Sequence, residues 1–275
     1  MHLSGEGLKA WSRTPRAVGR RSGARHLFDC WPQVAPAIHS AQRLALFMDF
    51  DGTLVALRRR PSDVKPLDLP LRRVLRRLAR HKSLGVYVIS GRPLTDLRRL
   101  VPVADVHLLG LHGWEGRDVP PLAEERRLLR IARRRLDQSL SNTPQIRLED
   151  KGLGLGVHYR GAPPRAVRRA RTMVGEVLRT LGPQIHLLRG HKVWELLPRQ
   201  ISGKGSAVSA LLSKLPEPTL AIFVGDDATD ESAFKLFPRG LTIRVGENCR
   251  TKARFFLRNP EELKMFLLKL EAEIV

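Results

Sequence analysis

The sequence predicts an α/β protein with a parallel sheet flanked by helices and a smaller α+β unit inserted into it. One observation predicts the sheet: short apolar runs alternate with helical patterns at both ends of the chain, which is typical of βαβ units. A second observation predicts the insert. Between about residues 117 and 198 the pattern changes to a helix followed by strand-like segments, twice over.

The predicted strands of the sheet are short apolar runs bounded by turn residues. They lie at 44–50, 86–89, 106–111, 220–224 and 241–245. Between them, apolar residues recur at helical spacing, at 67–82, 94–101, 203–215 and 260–273. In the insert the same criteria predict helices at 122–140 and 164–181 and strands at 153–160, 184–188 and 192–197.

These patterns divide the chain into three parts. Residues 1–25 are basic and lack an apolar pattern, so we expect a mobile extension without the apolar core of a secretory signal. Residues 26–116 and 199–275 are expected to form the core domain, and residues 117–198 the inserted domain.

The charge is unusual, with 49 Lys and Arg against 27 Asp and Glu, a formal net charge of +22. Such a field attracts anionic partners. Much of the arginine, however, falls on one side of amphipathic helices such as 71–80, which indicates a solvated face. Aromatic residues make up only 5% and do not interleave with the basic runs, so a nucleic-acid partner is not favoured.

Cysteine content and hydropathy indicate the environment. The two cysteines, Cys30 and Cys249, are distant in sequence and make neither a disulfide framework nor a zinc site. No apolar run approaches the roughly 18 residues of a membrane span. We expect a cytoplasmic protein, a monomer, with no membrane partner.

Acidic residues follow the predicted strands where they end. Asp49 and Asp51 come directly after the first strand, and the group Asp226, Asp227 and Asp230 follows a later one. Open α/β sheets place their ligand sites at the carboxyl ends of the strands. Ser90 follows the second strand in the same way, and Lys204 opens a helix between them. We therefore expect these side chains to converge.

The chemistry of this set favours phosphoryl transfer. Clustered carboxylates select a hard cation such as Mg²⁺. One carboxylate can attack phosphorus, and a neighbouring one can protonate the leaving oxygen and then activate water. A hydroxyl and an ammonium group can hold the phosphoryl oxygens as charge develops.

Other interpretations of single motifs stay open at this level. Asp51-Gly52 could form a simple turn, and Asp49 could cap a helix. The string 203–206 lacks the spacing of a P-loop, and the glycines at 152, 154 and 156 open no helix, so a dinucleotide fingerprint is not indicated.

The strings Asp49-Phe-Asp-Gly-Thr53 and Gly225-Asp-Asp-Ala-Thr-Asp230, with Ser90 and Lys204, resemble the haloacid-dehalogenase-like (HAD) phosphatases. The resemblance implies a Rossmann-like core with a C2-type cap. It assigns Asp49 as nucleophile and Asp51 as acid/base, and Thr53, Ser90 and Lys204 as phosphate-binding residues. It also implies an Mg²⁺ site in which Asp226 is a direct ligand beside the Asp49 carboxylate and the backbone carbonyl of Asp51. In this site Asp227 and Asp230 are expected to bind the metal through water or to orient the other groups.

Further strings are similar to those of trehalose-6-phosphate phosphatases within this superfamily: 110–115, 149–151 with 157–160, 193–195 and 225–231. This resemblance implies Mg²⁺-dependent hydrolysis of trehalose 6-phosphate in trehalose biosynthesis. The insert becomes a cap in which Glu149, Lys151 and Glu195 bind the sugar hydroxyls. Gly116 departs from the family pattern and is expected to loosen the hinge before the cap.

Two alternatives remain. The substrate could be another sugar phosphate, of the sucrose-phosphate or mannosyl-phosphoglycerate type, because only the cap residues distinguish these. The high positive charge also permits a nucleic-acid-binding protein built on a phosphatase scaffold, although the intact set of acids argues against it.

Overall fold

The structure is a computed structural model that describes residues 23–58, 60–143, 145–237, 240–247 and 250–274. Residues 1–22 of the predicted basic extension lie outside these ranges, and residue 25 already belongs to a short strand. Cys249 lies outside them as well, whereas Cys30 is buried as a free thiol.

The described residues form two sheets and the helices that cover them. The strands are β1 (Arg25–His26), β2 (Leu44–Met48), β3 (Leu84–Ile89), β4 (His107–Leu109), β5 (Arg147–Asp150), β6 (Leu155–His158), β7 (Ile185–Gly190), β8 (Val193–Pro198), β9 (Leu220–Gly225), β10 (Leu241–Val245) and β11 (Phe255–Leu257). The α-helices are α1 (Trp31–His39), α2 (Leu69–Arg80), α3 (Leu94–Leu100), α4 (Ala123–Leu140), α5 (Pro164–Leu181), α6 (Lys204–Leu212), α7 (Glu231–Leu236) and α8 (Pro260–Glu273).

The larger sheet is parallel throughout its described strands, in the order β1-β11-β10-β9-β2-β3-β4. β2 lies between β9 and β3, and all five of its residues are buried. A strand with partners on both edges and helices on both faces has no solvated side, which explains its uninterrupted apolar sequence. Because β2, β3 and β9 run in one direction, residues 49, 90 and 226 leave the sheet at the same edge.

Helices cover both faces of this sheet. Leu46 and Met48 of β2 belong to a core that includes residues of α1, α2 and α8, whereas Phe47 belongs to a separate core with residues of α6 and α7. This division follows from the alternation of side chains along a strand. Each large apolar side chain buried here contributes about 1.5–3 kcal/mol, so the packing holds the edge with the acidic residues firmly in place.

The smaller sheet is antiparallel, in the order β5-β6-β8-β7. Its strands come from within the predicted insert, and α4 and α5 pack on it through buried residues such as Leu129, Leu136 and Val174. The arginines of the two helices lie on the opposite, exposed side, as the helical spacing predicts. They are Arg126, Arg127, Arg130, Arg133, Arg134, Arg135, Arg165, Arg168, Arg169, Arg171 and Arg179.

Some elements were not predicted from the sequence pattern. β5 lies at a sheet edge and contains Arg147, Glu149 and Asp150, so it shows no apolar alternation. α1 contains Pro36 in its interior, and proline normally ends a helix. Its buried residues Val34 and Ile38 nevertheless belong to the main core, and this tertiary packing outweighs the local preference.

Gly116, expected to loosen a hinge, has a defined steric role in the structure. Its φ is +89°, a conformation that side chains rarely adopt. A Cβ atom at this position would also overlap the carbonyl oxygen of Leu108. The glycine allows residues 108 and 116 to approach closely.

None of the helices in the described ranges has the length and apolar character that a membrane crossing would require.

Candidate active site

The turn after β2 carries the first pair of predicted catalytic residues. Asp49 still belongs to the strand ladder, since its N–H donates to the Val224 carbonyl at 2.9 Å, and only 4% of its surface is exposed. Gly52 has φ +87°, and a Cβ atom there would overlap the carboxylate of Asp226. Only glycine therefore lets this turn lie directly against the loop that follows β9.

Thr53 connects the same turn to that loop. Its side chain is fully buried, and its hydroxyl donates to Oδ1 of Asp226 at 3.2 Å. Residues 53 and 226, which are distant along the chain, are thus brought together at the edge of the sheet.

Lys204 lies at the centre of the acidic group. Its ammonium nitrogen is 2.7 Å from Oδ1 of Asp49 and 2.8 Å from Oδ1 of Asp230. Burial works to lower the pKa of Lys204, but Asp230 and Asp49 outweigh it and raise the pKa well above its ordinary value. The lysine is therefore a permanent buried cation beside the Asp49 carboxylate.

The loop after β9 is organised by Asp230, which is fully buried. Its Oδ2 accepts hydrogen bonds from the backbone N–H groups of Asp226 and Asp227, at 3.0 and 3.1 Å. Oδ1 of Asp227 accepts from the N–H and the hydroxyl of Thr229, at 2.7 and 2.6 Å. Asp230 and Asp227 thus fix the backbone conformation of this loop.

A further arginine supports the loop from the neighbouring strand. Arg244 of β10 donates to the backbone carbonyl of Asp226 and pairs with Glu231 at 3.2 Å. Glu231 also accepts from the hydroxyl of Thr251 at 2.7 Å. Sequence reasoning did not single out Arg244, because a lone arginine in an apolar strand gives no indication of its partner.

Three carboxylates are arranged to hold a cation. Asp49, Asp226 and Asp230 each offer an oxygen, and these oxygens lie within 4.8 Å of one another. First burial and then the neighbouring acids raise the pKa of Asp226 to about 7. Burial also raises the pKa of Asp49 well above its ordinary value, against the opposing effect of Lys204. A crowded, buried set of oxygen donors fits a hard divalent cation, which would relieve their repulsion.

The five predicted metal ligands are therefore not equivalent. Asp49, Asp226 and Asp230 share one cluster, although Asp230 also contacts Lys204. The resemblance gives Asp51 a role in metal binding through its backbone carbonyl, and its carboxylate is paired with an arginine. The carboxylate of Asp227 accepts hydrogen bonds from Thr229. All five nevertheless lie at the same edge of the sheet.

We predict that the metal-free protein becomes less stable as the pH rises. The pKa of Asp226 is about 7 in the fold against an ordinary 3.8, so between these values the folded state binds a proton that the unfolded chain has lost. Stability should fall as the pH rises from about 4 through 7, by up to about 4 kcal/mol from this group. Melting temperatures measured in EDTA from pH 5 to 8 test this fall in stability.

Asp226→Asn is the matched comparison for that experiment, because it cannot ionise. Its melting temperature should fall less with rising pH than that of the wild type. Equal slopes for the two proteins would contradict the assignment of the raised pKa.

Arg92 is a site residue that the sequence analysis missed. Its guanidinium makes two parallel hydrogen bonds to Asp51, at 2.6 and 2.7 Å, and donates to the Pro61 carbonyl at 3.0 Å. Ser90, only 1% exposed, accepts from the N–H of Arg92 at 3.2 Å. In the sequence, the position of Arg92 two residues after Ser90, at the end of a predicted strand, could have indicated that it belongs to the site.

The second sheet contributes another charged group facing this edge. Glu195 of β8 is 3% exposed and is paired with Lys151, whose ammonium group also donates to the Gly91 carbonyl at 3.0 Å. Burial works to raise the pKa of Glu195, but Lys151 and then His112 outweigh it and hold the pKa well below its ordinary value. Glu195 is therefore a carboxylate in the fold.

Glu149 completes this group at the edge of the smaller sheet. It lies 2.7 Å from Nε2 of His158 and 3.8 Å from the ammonium nitrogen of Lys151. The three residues predicted to bind sugar hydroxyls, Glu149, Lys151 and Glu195, are thus brought together by the structure.

A cavity of about 150 Å³ separates the two sets of charged groups. Its lining includes Asp49, Asp51, Ser90, Lys204, Asp226 and Asp227 from the parallel-sheet side. From the side of the smaller sheet it includes Glu149, Lys151, His158, Arg160, His191 and Glu195. A ligand with one anionic end and one hydroxyl-rich end fits this division.

Comparison with known proteins finds relatives for most of the chain. Residues 47–261 match the family model described as trehalose-phosphatase. The probable trehalose-phosphate phosphatase of Sinorhizobium fredii is 35% identical over 210 residues, which cover 74% of this chain and 77% of the relative. The trehalose-6-phosphate phosphatase of Escherichia coli is 32% identical over 211 residues, covering 74% of this chain and 78% of the relative.

A solved structure shows the same fold. The C-terminal domain of C. albicans trehalose-6-phosphate phosphatase superposes with a TM-score of 0.76 at 22% identity, covering 92% of this chain and 99% of that one. The predicted fold class, a parallel sheet flanked by helices with a separate α+β unit, is confirmed.

Proposed function

The chain belongs to the trehalose-phosphatase family, and on that basis we propose that it is an Mg²⁺-dependent phosphatase that hydrolyses trehalose 6-phosphate to trehalose and phosphate. The observation that carries the proposal is the divided cavity. The Asp49 carboxylate and the Lys204 ammonium group lie on one side, and Glu149, Lys151 and Glu195 on the other. The first side suits a phosphate with a cation, and the second suits sugar hydroxyls.

The reaction would proceed in two steps on this chain's own groups. First, an Asp49 oxygen forms a bond to phosphorus while the bond from phosphorus to the sugar oxygen breaks, and Asp51 gives its proton to that oxygen. Water then attacks phosphorus and gives a proton to Asp51, while the bond from phosphorus to the Asp49 oxygen breaks, so that phosphate and the free Asp49 carboxylate are released. The two hydrogen bonds from Arg92 hold Asp51 as the carboxylate that this second step needs, so in the first step Asp51 must leave this contact and carry a proton.

Other residues hold the transferring group. Lys204, already 2.7 Å from Asp49, would neutralise charge on the phosphoryl oxygens, together with the hydroxyls of Thr53 and Ser90. The metal would be held by the carboxylates of Asp49 and Asp226 and the backbone carbonyl of Asp51. Asp230, which belongs to the same cluster of oxygens, and Asp227 would act through water or orient the site. When bound, Mg²⁺ supplies charge neutralisation for the phosphoryl oxygens.

The sugar end would be recognised by the smaller sheet. Charged groups give stronger hydrogen bonds to hydroxyls than neutral groups do, and Lys151 and Glu195 are buried in the cavity wall. We propose that residues 117–198 form a cap domain on the core formed by residues 26–116 and 199–275. Closure of the cap would exclude water and select the disaccharide.

A substrate panel tests the proposal directly. Phosphate release should be fastest with trehalose 6-phosphate, compared with sucrose 6-phosphate, mannosyl-phosphoglycerate and glucose 6-phosphate. It should disappear in EDTA and return with Mg²⁺. A preference for one of the other sugar phosphates would retain the phosphatase chemistry and refute the substrate. No release from any of them would refute both.

We further propose a cytoplasmic monomer. The sparse cysteines, with Cys30 free and buried, fit a reducing compartment. All the proposed catalytic and sugar-binding side chains come from one chain, so the site needs no second copy. A molar mass near 31.0 kDa by light scattering is the expected result.

A further inference from the structure

The segment between the two sheets contains backbone in an unusual conformation. Leu111, His112 and Gly113 follow β4, and all three have positive φ, at 46°, 56° and 94°. The first two are not glycine, so each carries conformational strain that the surroundings must maintain. Both are buried, with 0% and 4% of their surfaces exposed.

Hydrogen bonds to the carbonyl groups of the Ser90–Arg92 loop maintain this conformation. The N–H of Leu111 donates to the Arg92 carbonyl at 2.9 Å, and the N–H of His112 donates to the Ser90 carbonyl at 2.8 Å. The strained segment is thus attached by its backbone to the loop proposed to bind phosphate.

The side chain of His112 extends to the smaller sheet. Its Nε2 lies 2.6 Å from Oε2 of Glu195, and both side chains are only 4% exposed. The other oxygen of Glu195 pairs with Lys151, which in turn donates to the Gly91 carbonyl at 3.0 Å. These contacts connect Glu195 to the Ser90–Arg92 loop in two ways, through His112 and through Lys151.

The imidazole also has little freedom to turn. A Cβ atom on Gly91 would lie 2.9 Å from Cε1 of His112, so the ring packs against the backbone of that glycine. Replacement of His112 would leave Glu195, a buried carboxylate, with Lys151 as its one remaining side-chain partner among the described residues. By contrast, His158, which contacts Glu149, is partly exposed.

We infer that His112 is a positioning residue that holds Glu195, and through it Lys151, at a fixed position relative to the phosphate-binding loop. The phosphate end and the sugar end of the substrate are therefore recognised together. The inference rests on the proposed function, since it gives Glu195 and Lys151 a role in sugar binding. It assigns His112 to substrate selection; His112 takes no part in the transfer of the phosphoryl group.

The test compares two substrates in His112→Asn. Asparagine tolerates a left-handed backbone and is too short to reach Glu195. We measure kcat/KM for trehalose 6-phosphate and for p-nitrophenyl phosphate, which has no sugar. The ratio of the two values should fall roughly tenfold or more, the effect of losing a hydrogen bond to a buried charge. KM for trehalose 6-phosphate should change more than kcat.

Two further variants make the result specific. His186→Asn is the matched control, because His186 lies on β7 and its Nε2 contacts the Ile201 carbonyl at 3.0 Å; it should keep the wild-type ratio. His112→Gln, whose amide can donate to Glu195, should recover part of the ratio lost in His112→Asn. This recovery separates a lost contact from general damage. If the asparagine variant does not fold, His112→Gln is compared with the wild type instead and should show a smaller ratio; an unchanged ratio would then count against the inference.

A double-mutant cycle with Glu195→Gln completes the experiment. Because His112 is inferred to act through Glu195, adding His112→Asn to Glu195→Gln should lower the ratio little further. Additive losses, or an unchanged ratio in His112→Asn, would overturn the inference while leaving the proposed function intact. A wild-type protein that does not hydrolyse trehalose 6-phosphate would overturn the proposed function, and this inference with it.

Discussion

Replacing Asp49 with asparagine should lower kcat for trehalose 6-phosphate by about four orders of magnitude or more, because an amide cannot act as the attacking group. The fold should remain intact. Asparagine has the same shape, its side-chain oxygen can still accept from the Lys204 ammonium group, and Asp230 remains as the charged partner of that lysine. Phosphate release and thermal melting measure the two effects.

The control for this experiment is Asp137→Asn. Asp137 lies on the exposed side of α4, where it pairs with Arg133 at 3.7 Å, and its replacement should leave kcat unchanged. Activity close to wild type in Asp49→Asn would refute the assignment of the nucleophile. An unfolded Asp49→Asn protein would contradict the expected stability.

The second large effect is expected for Lys204→Met, which should lower both activity and stability. Methionine is unbranched like lysine and only one atom shorter, and it has no charge. Its introduction leaves Asp49 and Asp230 buried without their shared cation, and breaking a buried ion pair costs about 3–5 kcal/mol. Loss of the ammonium group should also lower kcat/KM by roughly 10³. Urea unfolding and phosphate release measure the two losses.

A second substitution separates the two losses. Adding Asp230→Asn removes one of the uncompensated carboxylates, so the double variant should recover much of the stability. It should recover no activity, because nothing replaces the cation beside Asp49. Lys264→Met is the control: its partner Asp68 is 3.4 Å away and 60% exposed, and such pairs contribute at most about 1 kcal/mol. Wild-type kcat/KM in Lys204→Met would refute its role.

Much of the site could be predicted because its motifs are local. Asp49 and Asp51 directly follow an apolar run, and Asp226, Asp227 and Asp230 follow another. In a parallel sheet the ends of neighbouring strands meet at one edge, so a correct strand prediction is sufficient to bring these residues together. The convergence of residues 49, 90 and 226 in the structure follows from the order and direction of these strands alone.

Partner choice within the site could not be predicted in the same way. Asp51 pairs with Arg92 and Glu195 with His112, at sequence separations of 41 and 83 residues. The chain has 49 lysines and arginines and 9 histidines, and no local pattern indicates which of them a given acid contacts. Edge strand β5 was missed for a related reason, because its polar residues gain their strand conformation from pairing with β6.

The fold class, the edge of the sheet at which the chemistry lies and the residue types present there could all be derived from the sequence. These follow from periodicity and from motifs a few residues long. The bridge that Lys204 makes between Asp49 and Asp230, and the connection that the strained His112 makes from the phosphate loop to Glu195, are known only from the packed structure. Such contacts depend on the mutual orientation of packed elements, since hydrogen bonds form only within about 3 Å, and residue spacing along the chain does not specify distances of that size.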